Sequence, residues 1–119
     1  MKIQDSKTIK EIKDEFSKKF TGLKLEFYSK EHKVGEGNPQ DYLLNDDLLL
    51  KDVRLNHNEG ELSIDGHLKV SSLENNFKEM FGVNVQVFRK SGRIYLQTTT
   101  TDEWTLAEQQ RESEEFEVE

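Results

Sequence analysis

The stretch FKEMFGVNVQVF, residues 77–88, decides how this chain is read, because FSKKFTGLKLEFY at 16–28 repeats its plan. Each has Phe, three residues, Phe, then a Gly, then an apolar/polar alternation. Working outward at an offset of 61 (64 − 3), Ile3 matches Ile64, Ile9 matches Val70, Ile12 matches Leu73, Phe16 matches Phe77 and Phe20 matches Phe81. The first copy gains one residue near Thr21. At an offset of 60 (82 − 22), Gly22 then matches Gly82, Leu23 matches Val83, Leu25 matches Val85, Phe27 matches Val87 and Tyr28 matches Phe88. Further on, Tyr42-Leu43-Leu44 aligns with Tyr95-Leu96-Gln97, and DDLLLKDV (46–53) with DEWTLAEQ (102–109). Self-similarity at a fixed period marks two copies of one structural unit.

Each copy has a physical reading. Ile9, Ile12, Phe16 and Phe20 recur at helical spacing, as do Val70, Leu73, Phe77 and Phe81, so each set is one buried helix face. Lys10, Lys13, Asp14 and Lys18, and Glu74, Asn75, Asn76 and Lys78, are expected on the solvated faces. Thr8 with Glu11, and Ser71 with Glu74, have the three-residue spacing of a capping box. Gly22 and Gly82 follow the last Phe, where a left-handed residue ends a helix. The period then falls to two: Leu23, Leu25 and Phe27 against Lys24, Glu26 and Tyr28, and Val83, Val85 and Val87 against Asn84, Gln86 and Phe88.

Lys2–Gln4 and Glu61–Asp65 are short strand candidates ahead of the helices. RKSGR (89–93) signals a tight turn into IYLQT, whereas the first copy has a long loop, SKEHKVGEGNPQD (29–41). Thr105 and Glu108 would cap a last helix. The expected fold is α+β, a tandem duplication of a β-α-β(-β) unit. Its element order is that of the ferredoxin-like, split βαβ arrangement: one antiparallel or mixed sheet with two helices on one face. The other arrangement weighed is two β-α-β-β lobes packed helix to helix. The 119 residues make one domain, with units of about 1–56 and 57–106 and an acidic tail at 107–119. One unit alone buries too little to be stable.

The net charge of −7 is uneven. Six glutamates against Arg111 give the segment 107–119 a net of −5 (1 − 6), so the body is nearly neutral. An acidic chain repels phosphates and anionic membranes, which argues against nucleic acid and membrane partners. There is no cysteine, which excludes disulfides, thiol catalysis and cysteine metal sites. The N-terminus MKIQDSKTIKEIKDEF has no apolar secretory core. The expectation is a cytoplasmic protein. The pattern resembles small bacterial α+β proteins, which implies no activity.

No catalytic, cofactor or metal motif is present. His32, His57 and His67 form no i,i+4 pair and no HExxH, and read as surface loop residues. Asp46-Asp47 and Asp102-Glu103 occupy equivalent places ahead of Leu48 and Trp104, where helix-start electrostatics explains them. GEG (35–37) precedes no helix, and TTTT (98–101) reads as an extended or turn segment.

FRKSGRIY places Arg89, Lys90 and Arg93 beside aromatics. That makes an RNA-binding split βαβ domain one alternative, though the RNP consensus is missing. Tyr28 and Phe88 stand at matched positions out of phase with the core alternation. Their face is therefore expected to be covered, by the 29–45 loop, by the C-terminal segment with Trp104 and Phe116, or by another chain. The expected function is a non-enzymatic interaction or adaptor module, homodimeric or bound to another protein. Its surface would hold Tyr28, Phe88, Tyr95, Trp104, Arg89, Lys90 and Arg93. The other alternative is a small-molecule-binding domain using the groove between the halves.

Overall fold

The computed structural model describes residues 1–29 and 40–115. The loop features His32, GEG and Pro39, and Phe116 in the tail, lie outside those residues. The order is β1 (Lys2–Ile3), α1 (Ile9–Lys19), β2 (Leu23–Tyr28), β3 (Gly60–Glu61), α2 (Val70–Phe81), β4 (Asn84–Ser91), β5 (Ile94–Gln97) and α3 (Leu106–Glu115). Short 3₁₀ turns lie at Gln40–Tyr42, Leu50–Asp52 and Thr99–Thr101.

The chain is α+β, but the strands do not form the single sheet expected. Among the described residues β1 pairs only with β3, while β2, β4 and β5 form a separate antiparallel sheet in the order β2-β4-β5. In that sheet β2 pairs with β4, one strand from each half, with Glu26 opposite Gln86 at the middle of the register. The first strand of each half is too short to extend the sheet. Ile3 is in β1, but its match Ile64 lies three residues past the end of β3, buried outside any strand. The packing of separate lobes is not seen either. Helix α1 packs on β2 and α2 on β4. Their Phe16 and Phe77 enter one core with Leu25, Phe27, Val85 and Val87. Phe27 meets Phe77 edge-on at 6.1 Å.

Both helix exits use glycine in the left-handed region: Gly22 has φ 91° and Gly82 has φ 68°. A Cβ is disfavoured at such angles. The Thr8–Glu11 capping box forms at α1, with both bonds at 3.1 Å. The Ser71–Glu74 box does not form. The N-cap of α2 is Lys69, so Ser71 already lies inside the helix and donates to Glu103 Oε1 (3.0 Å). Glu74 instead accepts the Val87 N–H (3.1 Å). The helices therefore begin at matched residues, Ile9 and Val70.

The turns ahead of the helices are tied together by backbone bonds that recur in both halves. Ile9 and Lys10 N–H donate to Leu48 and Asp46 carbonyls, and Leu50 and Lys51 donate back to Lys7 and Asp5. In the second half Val70 and Ser71 donate to Trp104 and Asp102, and Leu106 and Ala107 donate back to Leu68 and Gly66. Leu44 N–H to Phe27 and Thr98 N–H to Val87 form a further such pair. That pair aligns Leu44 with Thr98, so Tyr42–Leu44 matches Leu96–Thr98, one residue later than the side-chain pattern suggested. The segment after Thr105 is not a plain acidic tail: Thr105 and Glu108 make a capping box, and Leu106, Gln109 and Ser113 of α3 are buried.

Candidate functional site

The seven expected surface residues do not form one patch. Alternation in the sheet puts Tyr28, Phe88, Lys90 and Tyr95 on one face, and Arg89 and Leu96 on the other. On the first face Tyr28 is buried. Burial, helped by the nearby Glu26 charge, pushes its hydroxyl up to a pKa of about 12. Lys24 Nζ lies 5.2 Å from the Phe88 ring centre and 4.7 Å from that of Tyr95, so the two rings share one cation. A cavity of about 250 Å³ lies beside them, with Gln40 and Leu43 in its wall.

On the second face Arg89 is fastened inward. Its Nη1 donates to Gln109 Oε1 (2.7 Å), and its guanidinium lies 5.6 Å from the Trp104 ring centre. Arg93 is exposed at the hairpin tip, and Lys90 is half-buried on the face opposite Arg89. The structure thus does not bring the three cations together. Strand β5 is an edge strand with Ile94, Tyr95 and Leu96 all exposed, reached through a two-residue turn with Gly92 at φ 62°.

A second feature was not foreseen residue by residue. A cavity of about 650 Å³ lies between the halves, with Leu44, Leu48, Asp52 and Leu55 from the first and Gly82 and Asn84 from the second in its walls. One wall is held by a charged knot. Arg54, buried, gives both Nε and Nη2 to Asp5 Oδ1 (3.0 and 2.8 Å) and Nη1 to the Phe81 carbonyl (2.9 Å). His57 Nδ1 lies 2.8 Å from the other Asp5 oxygen. Burial alone would raise the Asp5 carboxyl, but these hydrogen bonds and charges outweigh it and hold it below the usual carboxylate range. In the sequence Arg54 is one of several charged residues in KDVRLNHNEGE (51–61), and no spacing singles it out.

The helix positions Lys13 and Glu74, expected in solvent, are both withdrawn from it. Lys13 pairs with Glu26 and with Asp46 (2.7 Å). Burial would lower its ammonium, but the hydrogen bonds it donates to these carboxylates prevail and raise it. Glu74, at the matching position of α2, is set by burial instead. Burial pushes its carboxyl up to about 8, the Val87 N–H opposes this, and the nearby Asp102 charge adds to the rise. Among the described residues no cluster of His, Asp and Glu has the makings of a metal site, and no helix is long and apolar enough to cross a membrane. No family model, curated protein or solved structure matches this chain.

Proposed function

We propose that this chain is a non-enzymatic protein-interaction module, built by doubling a β-α-β-β unit, and that it engages another protein chain along the edge of β5 that no described strand covers. The observation that carries the reading is three consecutive exposed apolar residues on an edge strand: Ile94 at 59%, Tyr95 at 41% and Leu96 at 41%. Edge strands that stay alone are normally short, charged or covered, because their free peptide groups template another strand. Strand addition takes its affinity from those peptide groups and its specificity from alternate side chains. Here the alternate side chains differ by face, with Leu96 beside Arg89 and Tyr95 beside Lys90. The doubling is supported by the cross-bonds that recur pair for pair around both helix starts.

Sedimentation velocity on the whole chain and on an Ile94→Lys/Leu96→Lys variant tests the reading, with affinity capture from native cells run on both. The expected result is self-association, or retention of a protein, that the variant loses while keeping its circular dichroism. Identical mass and identical captured proteins for two folded forms would overturn it.

A further inference from the structure

The two halves finish their helix exits with different chain. Beside Gly22, α3 continues as a helix to Glu115, Ser113 packs on the glycine, and Gln110 Nε2 donates to the Thr21 carbonyl (3.2 Å). Beside Gly82 the matching chain leaves its 3₁₀ turn at Asp52 and runs on without helix. It still meets both anchors: Asn56 packs on Gly82, and Arg54 Nη1 donates to the Phe81 carbonyl (2.9 Å). A helix with its side chains is about 10–12 Å across, and a single non-helical chain is thinner. The anchors are satisfied but the volume is not filled, and the difference is the cavity of about 650 Å³ between the halves.

We infer that this cavity binds a small organic cation with an apolar body, an amine or amidine. Its volume falls in the range of about 300–1,000 Å³ that such ligands occupy. Leu44, Leu48 and Leu55 offer an apolar wall, and Leu55 is wholly exposed at its rim. Among the described residues two charged side chains line it, Asp52 and Arg54. Arg54 is neutralised by Asp5. The Asp52 carboxylate has no ion pair with any described residue, so the charge offered to a ligand is negative. The Asn84 carboxamide stands at the second half's side of the cavity, to receive an N–H or donate one. This site is separate from the β5 edge and stands whatever that edge does.

The test is a titration of the ¹⁵N-labelled whole chain with butylamine, 2-phenylethylamine and tryptamine, with 3-phenylpropionate as the anionic control. Saturable shifts confined to the amides of residues 52–56, 82 and 84 are expected for at least one amine, tightening as the apolar body grows. Asp52→Asn should weaken that amine about three- to tenfold, and Leu55→Ala should also weaken it. Both residues are exposed, so both variants keep the fold. The inference fails if no amine shifts those amides, if the carboxylate binds equally well, or if Asp52→Asn binds as the wild type does.

Discussion

Lys13 and Glu74 stand at matched positions of the two helices, 61 residues apart (74 − 13), and they solve one problem by opposite chemistry. Each lies where its helix borders the central strand pair. In the first half the position holds a cation between two carboxylates, Glu26 and Asp46. In the second half the matching neighbours are Gln86 and Asp102, and the position holds a carboxyl that burial keeps protonated to about pH 8. The two corners differ in the same spirit, one filled by α3 and one passed by thin chain. The lesson is that backbone geometry is what the halves share. Polar junctions and fillers are free to differ, provided each buried charge finds a partner or is neutralised.

The largest effect should come from asking whether the halves are energetically one body. Phe16 and Phe77 are both fully buried at matched positions of one core. Phe16→Ala and Phe77→Ala should each cost about 3–5 kcal/mol, with a single unfolding transition in urea for both. Two transitions, or a loss confined to one half in amide exchange, would break the idea that one core joins them.

The glycine corners come next and should separate the halves. A Cβ at Gly22 would overlap Ser113 Oγ and lie 3.0 Å from its Cβ, at a φ of 91°. At Gly82 the nearest atom is Asn56 Cβ, also at 3.0 Å, with φ 68°. Strain at such angles costs about 1–3 kcal/mol, and overpacking against a buried helix adds to it. Gly22→Ala should therefore cost about 2–4 kcal/mol and Gly82→Ala about 1–2 kcal/mol. Adding Ser113→Ala should recover part of the Gly22→Ala loss and none of the Gly82→Ala loss. Equal losses at the two corners would mean that α3 is not what fills the first.

These contrasts explain how much could be read from residues alone. Helix faces, left-handed glycines and the Thr8–Glu11 and Thr105–Glu108 boxes are local, and period and spacing carry them. Ser71–Glu74 has the same spacing and failed, because α2 starts at Val70 with Lys69 as its N-cap, which leaves Ser71 inside the helix with its hydroxyl on Glu103. The cross-bonds are backbone to backbone, so no side chain announces them. That is why the second sheet and the one-residue shift at Tyr42–Leu44 were not legible. The proposed surface was read from aromatic positions. Arg89 left it because strand alternation turns it toward Gln109 and Trp104, which lie 20 and 15 residues away (109 − 89, 104 − 89). The cavity depends on chain being thin rather than helical after Asp52, and no residue type encodes a missing volume.

The smallest effect, and the sharpest for the comparison, is the pH response of Glu74. Its folded pKa of about 8 lies above the ordinary carboxylate value of 4.5. Between those values the folded chain keeps a proton that the unfolded chain has lost, so stability falls as pH rises, by at most about 1.4 kcal/mol per pH unit, and levels off above pH 8. Between pH 6 and pH 8 the loss should be about 2 kcal/mol in urea unfolding. Glu74→Gln should flatten that slope and leave the chain more stable at pH 8. Glu74→Lys copies the first half's choice, setting a cation beside Asp102 where Lys13 meets Asp46. If the matched positions are interchangeable, it should fold, lose the slope, and respond to Asp102→Asn as the wild type responds to Asp46→Asn. A Glu74→Lys chain that keeps the slope would place the proton elsewhere. One that fails to fold, while Glu74→Gln folds, would show that the second half cannot seat a cation there and that the likeness ends at the backbone.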